Sequence, residues 1–232
     1  MYLLTETASP FALERWAAFF ANFGQFAKGF FYTLGISIGA LIVALLLGLI
    51  FGAMSSTHNK VLRGISTCLC RNLPEHTLLV QFVVVFYGIS ILTDGHVMIP
   101  ISLTAILCVG VYTGAYISEI IRTGIEAVPK GQTEAALSQG FTYADTMRII
   151  ILPQAVRTIL PPLTNQVVNL IKNTSTVAII SGADIMFTAK AWAYDTTNYV
   201  PAFAGAAFLY FIMCFPLATW ARRKEEENKK AY

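Results

Sequence analysis

Glu134-Ala-Ala-Leu-Ser-Gln-Gly140, followed after nine residues by Ile150-Ile-Leu152-Pro153, is the ordered centre of a long polar interval, residues 119–162. On either side lie hydrophobic segments long enough to cross a bilayer. Residues 132–139 contain good helix formers, Glu134, Ala135, Ala136 and Leu137. They stop at Gly140, a favourable residue just past a helix end. Thr142-Tyr-Ala-Asp145 has the capping-box spacing that opens a second short helix over 143–152. Pro153 interrupts or kinks that helix, because proline lacks the amide proton and crowds the preceding turn. Met147, Ile150 and Ile151 lie three and four apart, an apolar stripe suited to a partner's groove. The alternative is a loop packed on its own membrane domain.

The rest of the chain sets the solvent. Of 232 residues, 56% are hydrophobic and only 12% charged. A soluble domain of this size does not need so much apolar surface, so most of the chain meets lipid. Charge-free runs cover 29–54, 77–93, 97–118 and 200–221. A spanning helix takes about 20 apolar residues. A further segment, about 163–185, is apolar in bulk but carries Lys172 and Asp184. The expected fold is therefore an all-α integral membrane protein with five transmembrane helices. Residues 1–28 form an outer-side interfacial segment, 29–221 the membrane domain with its loop at about 126–162, and 222–232 a charged tail.

Basic residues choose the orientation. With five spans, the loops at 55–76, 119–162 and 222–232 share one side. They hold Lys60, Arg63, Arg71, Arg122, Lys130, Arg148, Arg157, Arg222, Arg223, Lys224, Lys229 and Lys230, twelve of the sixteen Lys and Arg. The other side holds Arg15, Lys28 and Lys190. The positive-inside bias puts the loop and C-terminus in the cytoplasm and the N-terminus outside. Three glutamates within 222–230 argue against nucleic-acid binding by the tail. Phe11, Trp16, Phe19, Phe20, Phe23, Phe26 and Phe30 precede the first span, forming either an interfacial helix or the wet end of that span. A cleavable signal peptide is not expected: the first residues are not basic and the first apolar run is late and long.

Catalytic chemistry is not written here. No phosphate-loop motif occurs, nor any Gly-Lys dipeptide, so nucleotide hydrolysis must come from another chain. Cys68-x-Cys70 is not a zinc spacing, Cys108 and Cys214 complete no disulfide framework, and the three histidines are scattered. No metal or cofactor is expected on this chain.

Glu-Ala-Ala, three residues, Gly, nine residues, Ile-x-Leu-Pro resembles the cytoplasmic coupling loop of ABC importer permeases. Arg71-Asn-Leu-Pro74 with Leu79-Val-Gln-Phe82, Glu119-Ile-Ile-Arg122-x-Gly124-Ile125, Pro129-Lys-Gly131-Gln132 and Asn169-Leu-Ile-Lys172-Asn173-Thr174-Ser175 resemble the polar amino-acid branch of that family. The likeness runs over about 30–220. Glu75-His76-Thr77 departs from it by lengthening the turn after Pro74. The resemblance implies the type I ABC importer permease fold, with Glu134, Ala135, Ala136, Gly140, Ile150, Leu152 and Pro153 in contact with the ATPase. It implies a second permease subunit, two cytoplasmic ATPases that bind ATP and Mg, an outer solute-binding protein, and residence in a bacterial cytoplasmic membrane. A small secondary carrier or channel, or a non-transporting scaffold, is the alternative, but no clear internal repeat supports a carrier.

Lys172 is the candidate solute contact. An ammonium within a span is costly unless paired or wetted, and so marks a functional position. Asn165, Asn169, Lys172 and Thr176 fall at i, i+4, i+7 and i+11, one polar helical face bordered by Asn173 and Thr174. Glutamate or aspartate is the first substrate expectation. Alternatively Lys172 pairs with Glu119 or Asp184, or snorkels.

Overall fold

Gly29, Thr33, Ser37, Ala40, Ala44, Gly48, Gly52 and Ser55 recur every three or four residues, and all are buried. They lie on the long helix α2, Phe23–Ser55, which follows the short helix α1, Leu13–Ala21. The partner of this seam is α4, Ile101–Glu126, with Gly110, Gly114 and Ser118 buried on it. A Cβ on Gly110 would lie 2.8 Å from Val43 and 3.1 Å from the Ala40 carbonyl; one on Gly114 would lie 3.2 Å from the Ala44 carbonyl. Small residues at this spacing let backbones approach where lipid supplies no hydrophobic drive.

The computed structural model describes residues 9, 11–55, 57, 60, 61, 63, 64, 66, 70 and 77–230. Residues 1–8, Cys68, Arg71-Asn-Leu-Pro74, Glu75-His76 and residues 231–232 of the tail lie outside the described residues. Among the described residues every regular element is helical. Beyond α1, α2 and α4 these are α3, Leu78–Leu92, with π-helical turns over Val84–Gly88; α5, Lys130–Ser138; α6, Leu152–Asn173; α7, Ile185–Thr196; and α8, Tyr199–Lys230.

The seam fixes direction. Gly39 faces Ile106, Gly110 faces Val43, and Gly52 faces Ile121, so α2 and α4 run parallel. Helix α8 runs the same way: Gly205 abuts Phe19 near the start of α2, and Tyr210 reaches Asp184, whose carbonyl lies beside Gly29. Helices α2, α4 and the Tyr199–Arg223 part of α8 are long and apolar enough to cross a membrane. Three co-directional helices need two return passages, and α3 and α6 occupy those stretches. Helix α3 is only about 22 Å long at 1.5 Å per residue.

The segment 163–185 is not one helix, contrary to the sequence expectation. Helix α6 begins earlier, at Leu152, and passes after Asn173 into a 3-10 segment, Thr174–Ile180, that ends at Ser181 with φ 60°. The hydroxyls of Thr174 and Ser175 donate to the carbonyls of Ile171 (2.6 Å) and Lys172 (2.8 Å), competing with the α ladder and tightening the turn.

The N-terminal aromatics resolve into two parts. Helix α1 is separate, broken from α2 at Asn22, while residues 23–28 extend the first apolar helix outward. Phe19 and Phe26 stand edge-on at 4.8 Å, and Trp192 lies 6.0 and 5.8 Å from them. Phe11, Leu13 and Phe20 stay exposed, as an interfacial helix requires.

Gly114→Leu is expected to lower the melting temperature in detergent, since overpacking a tight contact costs about 1–3 kcal/mol. Gly35→Leu, where a Cβ meets nothing within 4 Å, should leave it unchanged. Equal melting temperatures for both variants would contradict the seam.

Candidate functional site

Two regions carry the candidate residues: the folded loop between α4 and α6, and the polar face of α6.

In the loop, α5 ends in a Schellman motif. The Phe141 amide donates to the Ala136 carbonyl (3.1 Å) and the Gly140 amide to that of Leu137 (3.0 Å). Gly140 adopts φ 88°, which a side chain would strain. The next helix starts as its spacing requires: the Asp145 amide donates to Thr142 Oγ1 (3.2 Å), and the Thr142 hydroxyl donates to the Asp145 carboxylate. Pro153 does not break this helix. Tyr143–Asp145 runs through a π-helical segment, Thr146–Ile151, straight into α6, where Pro153 occupies the first turn. The wider π turns just before it take up a ring that an unbroken α ladder would not admit. Gln154 Nε2 caps the Ile150 carbonyl at 2.9 Å.

The apolar stripe also differs from expectation. Ile151 is 5% exposed, and Met147 and Ile150 are half-buried, because this face turns inward while α5 packs on the π segment. The apolar side chains left outward are Leu137, Phe141, Tyr143, Ile149 and Leu152. Glu134, Ala135, Gly140 and Pro153 are exposed with them, whereas Ala136 is buried. The stripe was legible in the sequence, but the side it faces was not, since that is decided by the packing of α5 on the π segment.

On α6, Asn165, Asn169 and Lys172 are all exposed, and Asn169 Nδ2 donates to Gln166 Oε1 (3.1 Å). Thr174 is fully buried and Thr176 and Asn173 half-buried. Residues three apart eclipse in a 3-10 helix, so Ser175 rather than Thr176 continues the face above Lys172. Lys172 and Ser175 line a cavity of about 300 Å³ with Met186, Phe203 and Tyr210. Ser175, Met186, Phe203 and Tyr210 were missed in the sequence, where nothing signals that α7 and α8 fold back over α6.

Neither proposed partner pairs with Lys172. Arg122 binds Glu119 through two nitrogens and Glu126 through a third, on the loop end of α4. Asp184 is fully buried and caps α7: its carboxylate accepts from the amides of Met186 and Phe187 (both 3.1 Å) and from Tyr210 Oη (3.2 Å). The neighbouring Ile185 amide donates to Thr33 Oγ1 (3.2 Å), tying α2 to the same point. Among the described residues Lys172 forms no ion pair. No group of His, Cys, Asp and Glu there could hold a metal.

Comparison with known proteins places this arrangement. Residues 44–225 match the family described as "binding-protein-dependent transport system inner membrane component". The chain belongs to this family, the inner-membrane permeases of ABC importers. It is 36% identical over 219 residues to the probable glutamine ABC transporter permease GlnM of Bacillus subtilis, covering 92% of this chain and 97% of that one. It is 32% identical over 211 residues to the glutamate/aspartate import permease GltJ of Escherichia coli K12, covering 82% and 85%. A crystal structure of an amino acid ABC transporter with histidines superposes with a TM-score of 0.84 at 29% identity, over 91% of this chain and 98% of that one. The MetNI methionine ABC transporter shares the fold, with a TM-score of 0.68 at 14% identity. The match places the chain in the amino-acid branch of the ABC permeases, and its fold is that of their membrane subunits.

Asp184→Ala should lower the melting temperature markedly. It strands two amides and a tyrosine hydroxyl in a buried site, each costing about 1–3 kcal/mol. Asp184→Asn keeps one of the two acceptor oxygens and should recover only part of the loss. An Ala variant as stable as the parent would remove Asp184 from the packing.

Proposed function

We propose that this chain forms the translocation path for a polar amino acid and is driven through the loop 126–162 by a separate cytoplasmic ATPase. The observation that carries the reading is the exposed row of Asn165, Asn169 and Lys172 on α6, which stands in the chain between two helices long and apolar enough to cross a membrane. Such a row is unfavourable against lipid, so it faces a wet path closed by a second permease subunit. The Lys172 ammonium there meets the α-carboxylate common to every amino acid. Glutamate or aspartate is the first substrate. Glutamine, for which a 36%-identical relative is named, shares the α-carboxylate and a polar side chain.

Five crossings, with the N-terminus outside and the C-terminus in the cytoplasm, fit the three co-directional helices and their two returns. Helix ends Ser55 and Glu126 and the basic stretch of α8 then share the side that holds most Lys and Arg. The loop is a rigid knob with an exposed apolar rim of Leu137, Phe141 and Ile149, suited to a cleft on the ATPase. ATP and Mg bind on that partner, and an outer binding protein delivers the solute. Nucleotide shifts the inward–outward equilibrium only as far as the ATPase binds the two states differently.

Two experiments test the reading in reconstituted transporter. Lys172→Met should abolish most glutamate and glutamine uptake while leaving basal ATP hydrolysis and melting temperature unchanged, because no carboxylate is stranded. Normal uptake would remove Lys172 from the path. Leu137→Asp and Glu134→Lys change exposed side chains only, so both variants should insert normally yet lower ATPase co-purification and solute-stimulated hydrolysis. Undiminished stimulation in both would refute the loop's role.

A further inference from the structure

A cavity of about 860 Å³ lies between the end of α2 and the loop carrying α5, with no lining residue shared with the cavity beside Lys172. Its volume falls within the range of about 300–1,000 Å³ typical of sites for small organic ligands. Lys60, Arg63 and Lys130 line it, with hydroxyls from Thr57, Thr133 and Tyr143. Among the described residues the one carboxylate on its wall, Glu126, is held by Arg122 at 2.7 Å. Among the described residues none of the three cations forms an ion pair, so the cavity is strongly cationic.

Position narrows the ligand. Ser55 and Glu126, the last residues of two membrane-crossing helices, both line the cavity, which therefore sits where hydrocarbon gives way to headgroups. Ile125, Val128 and Ile151 supply an apolar wall beside the cations. Three positive charges and hydroxyls next to an apolar wall, at headgroup depth, match an amphiphile with an anionic phosphate. A soluble anion would have no use for the apolar wall.

We propose that this cavity binds the phosphate headgroup of an anionic phospholipid. The phosphodiester lies among Lys60, Arg63 and Lys130, and the glycerol and first methylenes lie along Ile125 and Val128. A bound headgroup ties Lys60 and Arg63 to Lys130 at the start of α5, so occupancy stiffens the base of the loop. This inference does not depend on the solute or on the ATPase.

The test uses the purified, delipidated full chain in neutral detergent. Dioctanoyl phosphatidylglycerol, dioctanoyl phosphatidylcholine and inorganic phosphate are titrated separately, reading melting temperature and lipid adducts by native mass spectrometry. Phosphatidylglycerol is expected to raise the melting temperature and give a discrete adduct; the other two are not. Each basic residue near an anionic headgroup contributes roughly fivefold, so Lys60→Gln/Arg63→Gln/Lys130→Gln together should weaken phosphatidylglycerol by about a hundredfold. Lys60→Arg/Arg63→Lys/Lys130→Arg should retain binding. If the triple glutamine variant does not fold, the three single variants carry the test, each expected to lose about fivefold. Equal stabilisation by phosphatidylcholine, or full phosphatidylglycerol binding by the glutamine variants, overturns the site. Equal stabilisation by inorganic phosphate overturns the lipid assignment.

Discussion

The parallel contact of α2 and α4, backbone against backbone at Ala44 and Gly114, governs the rest of the molecule. Parallel neighbours cannot be joined by a tight turn, so the chain between them must travel back, and α3 lies in that stretch. The same constraint recurs after α4: α8 runs the same way again, and α6 with its 3-10 extension provides the return. Only glycine and alanine permit the approach, and dispersion and close packing must hold it, because lipid is as apolar as the side chains it would replace.

A second constraint acts at the other end of α2. Asp184 is buried among three helices, and every polar group around it is answered: two α7 amides, the Tyr210 hydroxyl, and the nearby pairing of Ile185 with Thr33. In a low-dielectric interior a partly answered cluster would be a liability, whereas this one fixes the angle at which α7 leaves the 3-10 segment. The aromatic group of Phe19, Phe26 and Trp192 closes over the same end. The cavity beside Lys172 is thus roofed by elements that Asp184 orients, which connects a structural carboxylate to the exposed ammonium without any direct contact.

Much of this was legible in the sequence, and the misses share a cause. Charge-free runs found α2, α4 and α8 because length and apolarity are summed properties that survive local irregularity. Gly140 and Thr142 were read correctly because a helix stop and a helix cap are local chemistry, settled within four or five residues. What failed was phase. Ile151, at the end of the π segment Thr146–Ile151, faces inward, and the 3-10 segment after Asn173 buried Thr174 and raised Ser175 onto the polar face. A sequence read at a uniform 3.6 residues per turn cannot show either outcome. Asp184 was offered as an alternative partner for Lys172, but two amides at a helix N-terminus and a tyrosine hydroxyl serve it instead.

The π segment also bears on how such a chain tolerates change. One residue more or fewer in an α-helix rotates everything beyond it by about 100°. The π turns absorb one such step between the folded loop and the row of Asn165, Asn169 and Lys172. The azimuth of that row relative to the loop is therefore buffered against a change of one residue in this segment. A one-residue deletion within 146–151 would tighten those turns to a plain α-helix and leave loop and row aimed nearly as before, whereas the same deletion elsewhere in α6 would turn the row by about a quarter of a circle, like a key remounted at the wrong angle on its shaft.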